Sequence, residues 1–239
     1  MNLNKSNTFF SNSWSGMLYS ALYFTRSELY TSIIKKAPLF SGTMLDLGCG
    51  TKPYRQRFVN VEKYIGLDVA QSGNHEGKSN VDVFYDGKTI PFENNTIDGV
   101  FSSETFEHIF NLEEVLSEIH RVLKKDGLLL ATCPFFWPEH EAPYDFARYT
   151  SFAIKDLLIR NGFEIVSYEK TGNFFVAMLQ LWALYLNNFV NKIPLLKSLF
   201  FIVFITPIFV LGTMLNKVLP AFMKRKDLYL NNVIVARKL

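Results

Sequence analysis

Cysteine is nearly absent from this 239-residue chain, which has only Cys49 and Cys133. A disulfide-stapled scaffold is therefore excluded. Neither thiol belongs to a pair with metal-ligand spacing, so both are expected to be reduced thiols of a cytosolic compartment. An excess of one charge is lacking too. Net charge is +3 and no dense basic stripe with interleaved aromatics appears, which sets nucleic acid aside. Residues Met1 to Ser13 are polar with a single lysine, so no signal peptide is expected. The turn Gly48-Cys49-Gly50-Thr51-Lys52-Pro53 lacks the third glycine of a dinucleotide fingerprint. A pyrophosphate cradle, and with it a dinucleotide-dependent oxidoreductase, is disfavoured.

What is present is apolar and aromatic. The length suits one α/β domain with an appendage, and 13 of the 23 phenylalanines lie in the later half, which points to an apolar surface there. Met44-Leu45-Asp46-Leu47 has the apolar run of a buried parallel strand, ending at Gly48 and Gly50. Asp46 sits at the carboxyl end, where open α/β sheets bind ligands. A second strand, Tyr64 to Asp68, ends in an acid roughly twenty residues after the glycines, a spacing that suits a carboxylate on both ribose hydroxyls. Further strands are expected at Val81 to Tyr85, Ile97 to Ser102, Leu128 to Cys133 and Phe163 to Glu169. Helices are expected at Ser13 to Lys36, from Tyr54, from Leu112 to Lys125 behind an Asn111 cap, and from Ser151 to Asn161 behind a Thr150 cap. Alternating strands and helices make a doubly wound α/β sheet. The loop Gln71 to Ser79 carries His75, expected to be solvated.

Leu45-Asp46-Leu47-Gly48-Cys49-Gly50, Gly66-Leu67-Asp68, Asp86-Gly87 with Ile90-Pro91-Phe92, Asp98 to Ser103, Phe106-Glu107-His108-Ile109 and Leu123 to Gly127 stand in order. On these motifs the chain resembles the class I S-adenosylmethionine-dependent methyltransferases, of the group shared with ubiquinone-pathway methylases (methyltransferase type 11). The resemblance implies a Rossmann-like sheet of seven strands, S-adenosyl-L-methionine as cofactor, and cofactor contacts from Asp46, Gly48, Gly50, Asp68, Asp86, Gly87 and Ser102. Asp46 would orient the methionine ammonium and Asp86 would lie near the adenine amino group. His108 would lie near the cofactor or serve only within its turn. The helix before the first strand would form a lid, in which Arg26 is the residue to watch.

Pro134 to Thr150 is too rich in proline and aromatics for a strand or helix. It follows the fifth strand and is expected to face the substrate. His140 is the candidate general base, oriented by Glu141 or Asp145, with Arg148 and Tyr149 as a polar clamp on a sugar or phosphate. Positioning alone is the competing account. No metal site is expected, because the adjacent Glu139, His140 and Glu141 do not converge on one ion.

In the family a hairpin joins the last two strands; here about sixty residues intervene before Asn232 to Arg237 supplies the seventh strand. That insert holds two apolar runs, Phe174 to Val190 and Leu199 to Leu215, at the lower limit for a bilayer span. The expected domains are a lid at 1–42, a core at 43–170, a membrane-associating helical insert at 171–228 and the last strand at 229–239. Both insert ends lie on one side, so a shallow hairpin on the cytoplasmic face of the membrane is expected, flanked by Lys217, Lys224, Arg225 and Lys226. The expected reaction is methyl transfer to a membrane-proximal acceptor: a lipid-linked glycan or surface-polysaccharide intermediate, with a quinone or lipid as the alternative. A non-catalytic membrane-bound scaffold is the rival from outside enzymology. A soluble cap or an oligomer interface would use the same apolar helices.

Overall fold

A computed structural model of the chain describes residues 14–70, 80–190 and 197–239; the expectations for Met1 to Ser13, for His75 and for the insert turn at residues 191–196 lie outside them. The chain divides into two compact units, one of residues 33–169 with 232–239, the other of the N-terminal residues up to 32 with 170–231.

The larger unit is built on seven strands: β1 (Gly42–Leu47), β2 (Val61–Val69), β3 (Val83–Tyr85), β4 (Ile97–Ser103), β5 (Leu123–Pro134), β6 (Phe163–Lys170) and β7 (Asn231–Lys238). Their order in the sheet is β3-β2-β1-β4-β5-β7-β6. The first five are parallel neighbours, with Asp46 opposite both Gly66 and Phe101. At the far edge Leu239 N–H donates to Gly162 O, and Thr171 N–H donates to Asn231 O. The chain therefore returns antiparallel, as expected of a seventh strand inserted beside the sixth. Leu45, Leu47, Val100, Leu129 and Ile234 are fully buried in the core cluster, because a parallel sheet is covered on both faces and its strands run apolar without alternation.

The larger unit carries α2 (Leu112–Val122) and α3 (Ser151–Arg160), and α1 (Tyr23–Lys36) belongs to the smaller unit up to residue 32. Four local expectations need correction. The N-terminal helix begins only at Tyr23, after a separate 3-10 turn at Trp14–Leu18. Behind Gly50 no α-helix follows Tyr54; Arg55–Arg57 is one 3-10 turn. Pro53 disfavours the α conformation at Lys52, which adopts φ +55°. Tyr54 and Phe58 are buried instead as a plug, with ring centroids 5.6 and 5.1 Å from Phe101. Finally, α2 stops at Val122, because Leu123 is already paired with Ile97 of β4 and fully buried. Burial there overrides the helical propensity of Lys124 and Lys125. Asn111 does not cap α2 with its oxygen; its Nδ2 donates to Glu114 Oε1 at 3.3 Å.

Thr150 does cap α3. Its Oγ1 accepts the Ala153 N–H at 3.2 Å. Thr150→Ala is expected to lower stability by about 1 kcal/mol, measured as a shift in the urea midpoint at unchanged slope. No shift would mean that the exposed cap is replaced by water.

The smaller unit holds α4 (Phe174–Val190), α5 (Lys197–Phe200), a π-helical turn at Phe201–Ile205 and α6 (Thr206–Val218). Ser198–Val218 is long and apolar enough to cross a membrane. The insert and the N-terminal residues share a polar and aromatic seam. Gln180, fully buried on α4, donates to Ala21 O at 2.6 Å and accepts the Thr25 N–H at 3.3 Å. Phe24 meets Phe209 edge-on at 5.1 Å, and within the insert Asn173 Nδ2 donates to Asn216 Oδ1 at 2.9 Å. Arg26, the residue to watch in the expected lid, lies in this unit with Nη1 3.5 Å from Ser20 Oγ.

Candidate active site

The carboxyl ends of β1, β2 and β4 build the first half of the site. Gly48 (φ +72°) and Gly50 (φ +48°) take backbone conformations that side chains disfavour. At Gly48 an added Cβ would strike the Thr105 side chain at 2.2 Å, whereas at Gly50 it would meet nothing within 4 Å. Gly50 thus borders open space. Asp68 faces the same turn: Oδ2 accepts the Gly50 N–H at 3.0 Å and Oδ1 accepts the Val69 N–H at 2.8 Å. Asp46 is buried and accepts a 2.7 Å hydrogen bond from Tyr64 Oη. Burial pushes its carboxyl up to about 7, against the opposing pull of the Tyr64 hydrogen bond and of Lys52. Burial likewise pushes Cys49 up to about 12, so this free, buried thiol stays protonated.

Three participants carry no local sequence signal. Lys52 lies buried along the Gly66 backbone and pairs with Asp82, which also accepts the Gly66 N–H at 2.7 Å. Partial burial raises the Asp82 carboxyl, but the Gly66 N–H and the Lys52 ammonium outweigh it and hold the carboxyl below its ordinary value. Tyr64 completes the set. A lysine in a glycine turn, where the left-handed conformation costs energy, is the one available hint.

The other expected cofactor residues divide. Ser102 is fully buried near the carboxyl end of β4, and its Oγ has no hydrogen-bond partner. Asp86 is exposed. Its Oδ1 accepts the Thr89 and Lys88 N–H groups at 2.8 Å each, bonds that lower its pKa, and Gly87 follows it at φ +80°.

The second half of the site is the loop after β5. Phe146 and Ala147 donate their N–H groups to Glu107 O at 2.8 and 3.2 Å, which ties the loop to the 3-10 turn Phe106–His108 after β4. Thr105 Oγ1, next to that turn, lies 3.4 Å from Leu47 O, so both halves meet at the Gly48 turn. Arg148 spends its five N–H groups inside the loop, on Trp137 O, Ala147 O, Pro138 O and both oxygens of Asp145. The expected clamp is therefore occupied as a loop staple. The same hydrogen bonds hold the Asp145 carboxyl far below its ordinary value. Tyr149 is half-buried, with its phenol pushed up to about 12 by burial, and its carbonyl accepts the Asn232 side-chain N–H at 2.9 Å.

His140 is brought against His108, ring centroids 4.8 Å apart and nearly perpendicular. Its Nδ1 lies 3.3 Å from Asp145 Oδ2. Burial, and then His108, push this imidazole below its ordinary pKa. Glu141 Oε2 is 3.8 Å from His108 Nε2. Glu107 is fully buried, and neither carboxylate oxygen has a hydrogen-bond partner.

This cradle fits S-adenosylmethionine. It offers open space at Gly50, a carboxylate on the adjoining strand at Asp68, and a buried acid at Asp46 beside the turn. Residues 45–131 match the family described as a methyltransferase domain. Among curated proteins the chain is similar to the human arginine-hydroxylase NDUFAF5, mitochondrial, with 33% identity over 93 residues, covering 36% of this chain and 27% of that protein. The chain thus spans about a quarter of that relative's length. Among solved structures it resembles a putative sarcosine dimethylglycine methyltransferase from Galdieria sulphuraria, with 16% identity and a TM-score of 0.55, covering 90% of this chain and 85% of the other. It also resembles phosphoethanolamine N-methyltransferase 2 from Haemonchus contortus, solved in complex with S-adenosyl-L-methionine, with 18% identity and a TM-score of 0.52 over 95% of this chain and 60% of that one. Residues 45–131 are thus a methyltransferase domain, set in the seven-stranded fold of the class I S-adenosylmethionine-dependent methyltransferases.

Proposed function

We propose that this protein transfers a methyl group from S-adenosylmethionine to an acceptor held at a membrane surface, a lipid-linked glycan or surface-polysaccharide intermediate. The cofactor supplies an activated methyl group on sulfur. Asp46 orients its ammonium, Asp68 accepts its ribose hydroxyls, and the Gly48–Gly50 turn lets the backbone approach. The loop 134–150 presents His140, with Asp145 and Glu141 around it, to the acceptor; its polar character suits a hydroxyl-bearing group. Fixing the acceptor there converts a bimolecular encounter into an oriented one.

The observation that carries the membrane reading is the outer face of the insert. Phe174, Met178, Trp182, Tyr185 and Phe189 recur at helical spacing along α4 and are all exposed, as are Ile202, Phe204, Leu211, Met214 and Val218 of the following helix. An apolar face this continuous is unusual for a surface left to water. Lys217, Lys224, Arg225 and Lys226 at its end suit anionic headgroups. The catalytic sheet would then lie on the cytoplasmic face, with the insert in one leaflet.

Two measurements test this. Lipid and glycan fractions from cells with and without the gene should differ by one methyl-sized increment, seen by mass spectrometry in a lipid-linked saccharide. An increment in a quinone or a simple lipid would move the acceptor class, and cofactor binding with no altered product would favour the scaffold. Asn191→Cys should resist an impermeant thiol reagent in intact cells, with Cys49 and Cys133 buried and therefore giving little background. Labelling from outside would establish a two-span hairpin instead, and recovery of the protein in the soluble fraction would refute membrane attachment.

A further inference from the structure

We propose that Glu107, His108 and His140 form a binding site for a first-row divalent transition cation, open toward the acceptor. Their ligand atoms already lie within 4.8 Å of one another. Metal–ligand bonds of about 2.0–2.2 Å place neighbouring ligands of a tetrahedral site roughly 3.4 Å apart, so closure of about 1.4 Å at most completes the set. Glu107 is the strongest sign. A carboxylate with no exposure and no hydrogen bond on either oxygen is costly unless something compensates it. A cation between Glu107 and the two imidazoles does so.

The imidazoles are set up as ligands. His108 Nδ1 is 2.7 Å from Tyr144 O; a carbonyl only accepts, so Nδ1 carries the proton and the lone pair is on Nε2. That Nε2 is 3.9 Å from Glu107 Oε1. His140 Nδ1 lies 3.3 Å from Asp145 Oδ2. Arg148 Nη2 also reaches the same nitrogen at 3.4 Å, so Nδ1 is engaged within the loop and Nε2, giving up any proton on binding, is the nitrogen left for a cation. A ligating histidine whose other nitrogen donates to a carbonyl or carboxylate is the usual outer arrangement of a metal site. Two imidazoles with one carboxylate select zinc, iron or nickel over magnesium or calcium. The sequence expectation of no metal weighed only the neighbours Glu139, His140 and Glu141, whereas the fold draws the ligands from two separate segments.

The purpose of the site rests on the proposed methyl transfer: open coordination positions would hold and acidify the acceptor oxygen, and His140 would then be a ligand rather than a base. Its existence is tested separately. Cobalt(II) titrated into the full chain is expected to bind at one ion per chain, with visible absorption that zinc displaces, while calorimetry on the same sample follows S-adenosylmethionine. Glu107→Gln should weaken cobalt binding by at least about tenfold and leave cofactor affinity unchanged. If that variant fails to fold, His140→Gln on the loop should show the same loss. Cofactor binding without cobalt uptake, or equal uptake by both variants, overturns the site. Cobalt uptake without cofactor binding upholds the site and refutes the methyl-transfer reading.

Discussion

Asp46→Asn is expected to make the cofactor-free protein more stable than the parent above about pH 7, with the difference vanishing near pH 4. Burial raises the Asp46 carboxyl to about 7, whereas an unfolded aspartate titrates near 3.9. The folded state therefore holds a proton that the unfolded state has lost between those values. Stability falls as pH rises through this window and levels off above about 7, because the unfolded state binds fewer protons. A shift of about three units corresponds to roughly 4 kcal/mol at most. Asparagine keeps an oxygen for the Tyr64 hydroxyl and carries no charge, so it removes the slope. Urea unfolding of both proteins across pH 4 to 9 reads the effect; parallel curves would show that Asp46 is not titrating. Bound S-adenosylmethionine places an ammonium beside this carboxylate in the proposed site, so the cofactor should stabilise the parent more at high pH than at low.

The second large effect concerns Asp68. Asp68→Ala is expected to weaken S-adenosylmethionine binding by about 3 kcal/mol, roughly a hundredfold, since hydrogen bonds to a charged group contribute about 1.5–3 kcal/mol. Two losses combine. The ribose hydroxyls lose their acceptor, and the Gly50 N–H loses the oxygen that holds the turn at 3.0 Å. Asp68→Asn retains one acceptor for Gly50 and should fall between the two. Isothermal calorimetry decides it: an unchanged dissociation constant for the alanine variant would remove Asp68 from the site.

Much of the geometry at the carboxyl ends of β1 and β2 was legible because it is written locally. The apolar run into Gly48 and Gly50 marks a buried strand and a turn, and Asp68 falls at the end of the next strand at the spacing a βαβ unit imposes. Lys52 and Asp82 were not legible. Their pairing depends on Pro53 breaking the chain and on β2 and β3 lying side by side, and no residue pattern announces either. The same holds where burial overrides propensity, as at Leu123, which leaves the helix because it pairs with Ile97.

The sequence by itself determined the α/β class, the strand ends that meet at the Gly48–Gly50 turn, and the presence of an apolar insert ahead of the last strand. These follow from periodicity and chain order, which are properties of neighbours. Tertiary structure alone decided three things. It grouped the insert with the N-terminal residues in one unit, committed Arg148 to its own loop, and set His140 against His108 beside the unpartnered Glu107. Each depends on which distant side chains are buried together, and burial sets hydrogen-bond partners and charge states that spacing along the chain does not encode.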